Sequence, residues 1–242
     1  MKLTLLASAA AAVSLFALPA LAQTTVNTGY VGASAGFAQA DDVDGEILAL
    51  EGAGTLSLGG TLGLQLDAAL VNTEFDEIGT NTTIGGRAHL FSRTDTFLFG
   101  GFASVASSEF EDLGAENVYG LGLEAQAYLQ QVTLGANIGW FKGDDDESED
   151  SDGMGVGALA RFFVNENFSL EAGVDWSEAD DDDFTVFSLG AEYKLANSPV
   201  SFTAGFSSSD IGDGDDAQAV FIGVRLSGPG SLMDRDRRGP SL

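Results

Sequence analysis

Val132-Thr133-Leu134-Gly135-Ala136-Asn137-Ile138-Gly139-Trp140-Phe141 alternates between apolar residues and small or polar ones. In an extended chain Val132, Leu134, Ala136, Ile138 and Trp140 share one side, and Thr133, Gly135, Asn137 and Gly139 share the other. A period of two is the signature of a β-strand with unlike faces and argues against a helix. Residues 168–177 repeat the scheme: Phe168, Leu170, Ala172, Val174 and Trp176 alternate with Ser169, Glu171, Gly173, Asp175 and Ser177. The same pattern, bounded by turn residues, predicts twelve strands at about 27–39, 46–57, 61–73, 81–91, 95–107, 117–129, 132–142, 153–164, 168–178, 184–195, 200–208 and 217–227.

The connections fall into two classes that alternate strictly. Tight ones lie at 58–60, 92–94, 130–131, 165–167 and 197–199. Longer, acidic ones lie at 41–46, 74–79, 109–116, 143–152, 178–183 and 210–216. These six stretches hold 27 of the 37 Asp and Glu residues, so in an up-and-down meander one end of the molecule is strongly anionic. The chain has 242 residues, which allows one large domain or two small ones, and a formal net charge of −27, which argues against nucleic-acid binding. It has no cysteine and one histidine, His89, which excludes disulfide scaffolds and leaves little for histidine-dependent catalysis. Lys2, the apolar run Leu3–Leu18 and Ala20-Leu21-Ala22 read as a secretory signal peptide over residues 1–22. Cleavage after Ala22 removes Lys2 and takes the formal charge to −28.

Alternation leaves open which face points outward. Twelve strands make a cylinder wider than the side chains of a water-soluble barrel fill comfortably, since about eight is the filled size. The face rich in Gly and Ser carries about one charge per strand, a poor surface to present to water. The inverted arrangement fits better: apolar side chains toward lipid, the sheet closed so that no edge is left unpaired in hydrocarbon. Away from the strand ends, no Lys, Arg, Asp or Glu falls on the apolar faces of the strands as read. Bulky aromatics on those faces gather near the strand ends, with Phe37, Tyr119, Trp140, Trp176 and Phe206 toward the acidic loops. Phe97, Phe162, Phe168, Tyr193 and Phe202 lie toward the tight turns, giving two interfacial girdles. The fold class is therefore all-β, a transmembrane up-and-down antiparallel β-barrel of about twelve strands.

In strand number, loop alternation and girdles, residues 23–227 resemble Gram-negative outer-membrane β-barrel proteins, the small porin-like group in particular. The resemblance implies an outer-membrane address, periplasmic N- and C-termini, short periplasmic turns and surface-exposed loops. It also implies outer-membrane lipid, lipopolysaccharide and the barrel-assembly machinery as partners. Such barrels commonly end on an aromatic residue, whereas here residues 228–242 follow the last strand as a polar periplasmic tail containing Asp234-Arg235-Asp236-Arg237-Arg238. A disordered overhang is the expectation for it.

The lumen-lining candidates are Glu51, Asp67, Arg87, Glu124, Arg161, Glu171, Asp175, Glu192, Lys194 and Arg225. Closing the turn 165–167 places Arg161 opposite Glu171. That pair is expected to hold the wall rather than to select ions, because charges in a narrow lumen need partners. Many inward positions are glycine, Gly122, Gly139, Gly173 and Gly205 among them. They either open a water path or make room for inward rings such as Tyr30, Tyr128, Phe163 and Phe221. The acidic rim is represented by Asp144, Asp145, Asp146, Asp180, Asp181, Asp182 and Asp183. Such runs attract Ca²⁺ or Mg²⁺ diffusely and more often stay solvated than form a defined site. Asp42, Asp44, Gly45, Ile47 and Glu51 match an EF-hand loop in part, but Ala40 stands at the first ligand position. Gly32-Ala33-Ser34-Ala35-Gly36 matches G-x-S-x-G without the strand–turn–helix elbow that motif needs. No catalytic residue, cofactor or defined metal is expected.

The function these features point to is a porin-like channel for passive diffusion of ions and small solutes, with an acidic rim favouring cations. The alternative is a closed surface barrel whose acidic loops bind divalent cations or bridge lipopolysaccharide.

Overall fold

The computed structural model describes residues 26–40, 43–76, 79–110, 114–145, 151–179, 182–210 and 216–240. The signal segment 1–22 lies outside them. Twelve strands follow one another: β1 Val26–Ala40, β2 Val43–Gly59, β3 Leu62–Phe75, β4 Gly79–Arg93, β5 Phe97–Phe110 and β6 Gly114–Tyr128. Then come β7 Val132–Asp145, β8 Ser151–Asn165, β9 Phe168–Ala179, β10 Asp182–Lys194, β11 Val200–Asp210 and β12 Asp216–Ser227. Each pairs antiparallel with the next, and β1 pairs with β12, closing the barrel. Closure is what a sheet in hydrocarbon requires, since an edge strand would leave a row of N–H and C=O groups with nothing to bond.

All twelve expected strands are present, but they run further than the alternation indicated. β2 begins at Val43 and β7 continues to Asp145, so Asp44, Glu46, Asp144, Asp152, Glu178 and Asp183 stand on strand ends. The difference between short and long connections is correspondingly smaller than expected. The physical reason is that the backbone ladder continues wherever both partners keep an extended conformation, whatever the charge of side chains that reach water. About 9–11 residues suffice for a tilted strand to cross a bilayer. Strands of 14–17 residues such as β2, β3, β4 and β8 therefore carry this acidic end beyond the hydrocarbon.

The outer surface is apolar. Phe37, Leu121, Leu123, Trp140, Phe187, Leu189 and Ile222 all point away from the barrel. Phe97 and Phe99 stack side by side there, and Phe168 meets Tyr193 edge-on near the same short-turn end. Among the tight turns, a left-handed backbone is carried at Gly59-Gly60, φ 110° and 61°, and at Asn197, φ 57°. Inside, glycines sit where neighbouring rings lie. A Cβ at Gly122 would run into the Phe102 ring, one at Gly205 into Phe221, and one at Gly63 into Phe91. At these positions the glycine makes room for an aromatic rather than for water. At Gly190 a Cβ would meet no ring, only the Glu171 side chain at an ordinary contact distance of 3.7 Å.

The tail differs from a disordered overhang. Residues 228–240 turn back into the short-turn mouth and form one helical turn, α1 Leu232–Asp236. Ser231 caps it: the Asp234 N–H donates to Ser231 Oγ at 3.0 Å, and the Ser231 N–H donates to the Asp234 carboxylate at 3.0 Å. That second bond holds the Asp234 carboxyl below its ordinary range. Substituting Ser231→Ala removes the cap, and we expect faster proteolysis at residues 231–238 with an unchanged barrel, read by limited trypsin digestion.

Candidate functional site: the lumen and its floor

The interior encloses a cavity of about 790 Å³ lined by residues from all twelve strands and, at the short-turn end, by Arg235, Asp236 and Pro240 of the tail. Inward position follows from strand parity, so the charged residues read as lumen-facing point inward together.

Three ionic clusters organise them. In the first, Arg225 on β12 pairs with Glu51 on β2 and, at 2.9 Å, with Glu192 on β10. Its guanidinium stacks 4.7 Å above the Tyr30 ring. Glu192 also accepts from Ser201 Oγ at 2.5 Å and takes two bonds from tail Arg235, at 2.9 and 2.5 Å. In the second, Arg161 and Glu171 are register partners on β8 and β9, and Nε of Arg161 donates to Glu171 at 2.7 Å. The same guanidinium pairs with Asp236 of the tail, which also accepts from Thr133 Oγ1 at 2.6 Å. In the third, His89 is wholly buried between two carboxylates, Nε2 lying 2.7 Å from Asp67 and Nδ1 3.0 Å from Glu124. The Nδ1 contact is an aligned hydrogen bond, whereas Nε2 lies close to Asp67 without that alignment. Arg87 faces Asp67 across the β3–β4 ladder and lies 4.5 Å above the Phe102 ring.

Lys194 takes no part in these pairs. Its Nζ donates to Ser227 Oγ and to the Gly228 and Gly230 carbonyls at 2.8–2.9 Å, fixing the point where the tail leaves β12. The Asp175 carboxylate and the Asn137 amide both reach over Gly157, filling the space a side chain there would need. Of the acidic rim, Asp144 and Asp183 are exposed strand-end residues, and Asp145 and Asp182 belong to the strands. Asp146, Asp180 and Asp181 lie outside the described residues. Among the described residues no group of His, Asp and Glu is arranged to hold a metal ion. The EF-hand-like stretch is continuous strand from Val43 through Glu51, and the G-x-S-x-G match lies inside β1.

The tail is the part of the site that sequence reading missed. It begins between β12 and β1, where the Gly228 N–H donates to Gly29 O at 3.2 Å. It passes the β8–β9 turn, where the Met233 N–H donates to Glu166 O, and reaches Thr133 and Arg161. Arg237 donates to the Leu129 and Gln130 carbonyls, and Arg93 donates to Arg237 O. It ends against β2 and β3: Gln65 Nε2 donates to Pro240 O at 3.0 Å, and Gly239 packs where a Cβ would strike Gln65 and Thr55. The segment thus crosses the mouth from the β12–β1 side to the wall formed by β6, β7 and β8 and returns to β2 and β3, and Leu232 at its start is 2% exposed. The signals were Ser231-Leu232-Met233-Asp234, which carries the spacing of a capping box, and an excess of acids on the inward face that tail arginines complement.

The family model for the outer membrane protein β-barrel domain matches residues 8–227. The chain belongs to that family. As an outer-membrane barrel it exposes its apolar girdled surface to lipid. A search of curated protein sequences found no match. Its fold is similar to an outer membrane channel from Pseudomonas putida F1, at TM-score 0.62 and 11% identity over 83% of this chain and 94% of that one. It is also similar to the KdgM porin in complex with disordered oligogalacturonate, at TM-score 0.56 and 9% identity over 82% and 99%. The translocator domain of the autotransporter NalP from Neisseria meningitidis matches at TM-score 0.56 and 13% identity over 84% and 89%. A channel, a porin and a translocator share one architecture, so the likeness speaks to fold and not to cargo.

Proposed function

We propose that this outer-membrane barrel is a porin-like channel for passive diffusion of ions and small solutes. They enter at the acidic strand ends, and the C-terminal segment covers the opposite mouth. The observation that carries the reading is the cavity running inside the wall from the strand ends near Phe75 and Phe141 down to Arg235 and Asp236. The short-turn end, the N-terminus and the tail face the periplasm in this reading, after removal of residues 1–22 by signal peptidase. The anionic rim meets the external medium and the lipopolysaccharide, where it concentrates cations, and salt weakens the effect. Chemistry at the wall is not part of the reading: the one histidine is buried between two carboxylates and serves as a wall group.

The test is reconstitution into planar bilayers with reversal potentials measured across a salt gradient. Conductance with a cation preference that shrinks as salt rises is the expected result, and anion preference at low salt would refute the rim's role. One observation favours a second reading. The tail lies across the mouth, which also suits a closed surface barrel whose rim binds divalent cations or bridges lipopolysaccharide. A melting temperature that rises with Ca²⁺, without conductance in either the full chain or a tail deletion, selects that alternative.

The wall pairs make a separate prediction. Substituting Glu171→Gln leaves Arg161 with Asp236 alone. Because both wall residues are partly exposed, the expected loss is about 1–2 kcal/mol rather than the larger cost of a fully buried break. Urea unfolding from lipid vesicles reads it. Unchanged stability with altered ion selectivity would instead make the pair a selectivity element.

A further inference from the structure

The lumen departs from the polar interior usual in transmembrane barrels. Its rim-side half is lined by Val43 and Ile47 on β2, Phe75 on β3, Phe110 on β5, Phe141 on β7 and Phe184 on β10. All six belong to the inward set of their strands and lie within four residues of the strand's acidic end. The charged clusters stand deeper. Asp175 is level with Asn137, four residues below Phe141 on β7, and the arginines of the cavity lie at the middle and floor. Among the described lining residues of the rim-side half, Glu116 carries the charge, and the polar remainder is Ser, Thr and Gln.

The apolar side chains line this half without filling it. Phe75 lies over Gly45 of β2, where a Cβ would come within 2.8 Å of its ring, and the Phe141 ring occupies the space over Gly153 of β8. Glycine at each of these register partners leaves room for the ring beside the wall, so the rings line the wall and leave the bore between them. A lining of this kind costs solvation free energy if only water ever occupies the space. A concave space of a few hundred Å³ lined by apolar rings and a few hydroxyls is the usual form of a site for an uncharged, apolar-bodied small molecule.

We propose that the rim-side half of the lumen is a binding site for small uncharged aromatic or aliphatic molecules, held by Val43, Ile47, Phe75, Phe110, Phe141 and Phe184. This rests on the reading of the lumen as a solute path and names the class of solute that dwells in it. Charged solutes gain no partner from these side chains and so pass without dwelling, whereas apolar ones gain contact area with each ring.

The test uses the full chain in lipid nanodiscs and 1-N-phenylnaphthylamine, an uncharged aromatic fluorophore, with empty nanodiscs as background. Saturable fluorescence above background is expected, displaced by p-xylene and not by sucrose or benzoate. The Phe75→Ser/Phe141→Ser variant, checked for folding by heat-dependent gel mobility, should weaken binding at least about tenfold, the loss of roughly 1.4 kcal/mol. Phe75→Leu/Phe141→Leu keeps the apolar lining and should retain binding. Absence of saturable binding by the unmodified protein, displacement by sucrose or benzoate as effective as by p-xylene, or undiminished binding in the folded serine variant would each overturn the proposal. Bilayer conductance is read separately. A conducting protein that binds no fluorophore loses this inference and keeps the channel reading.

Discussion

Deletion of residues 228–242 should raise single-channel conductance at least about tenfold over the full chain, because an equilibrium dominated by the docked tail becomes one with no tail to dock. The tail crosses the short-turn mouth and is tied to β10 through Arg235–Glu192, to β8 through Asp236–Arg161 and to β3 through Gln65 and Pro240. None of the twelve strand pairings includes a residue after Ser227, so the barrel keeps its closure when the tail is removed. Planar-bilayer recordings of the two proteins, with heat-dependent gel mobility as the folding control, decide it. Equal conductance would show that the segment does not limit flow. Lower conductance in the deletion would show that it props the mouth open.

The second large effect belongs to Glu192. Its carboxylate holds Arg225 of the wall, Arg235 of the tail and the Ser201 hydroxyl at once, and its side chain is 8% exposed. Substituting Glu192→Gln removes the charge that two guanidinium groups share. Arg225 keeps Glu51, whereas Arg235 keeps the Tyr30 ring at 5.0 Å and no acid on the wall to which it is bonded in the native protein. Breaking a buried pair from one side costs about 3–5 kcal/mol, divided here between wall stability and tail docking. The expected result is a lower urea midpoint together with more frequent channel openings, since weaker docking raises the undocked fraction about tenfold for each ~1.4 kcal/mol. A double-mutant cycle with Arg235→Gln separates the two parts. Strong coupling places the loss at the tail, and additivity places it in the wall.

Much of this molecule is legible in residue order. The alternation Val132 to Phe141 specifies a strand with one face for lipid, and twelve repeats of it with tight turns on alternate sides specify a meander whose natural end is closure. Arg161 stands opposite Glu171 as the turn predicts, but the ladder closes at Asn165 and Phe168 with a bulge between Phe163 and Asn165, and that bulge, rather than a three-residue turn 165–167, sets the register of β8 on β9. Strand ends are less legible. Asp44 and Asp144 look like loop residues by charge, yet they extend the ladder, because backbone pairing is indifferent to side chains that reach water.

What only the tertiary structure decided is what the barrel encloses. Local pattern assigns a face to each side chain but not a neighbour across the bore. It therefore could not bring Glu51, Glu192, Arg225 and Arg235 together from four separate segments, or set Phe75 and Phe141 over Gly45 and Gly153. Nor could it place the tail. A polar segment such as Asp234–Arg238 is soluble outside the barrel and well paired inside it, and the choice depends on buried carboxylates and a guanidinium that exist as a site only once β8 and β10 stand in the same closed wall.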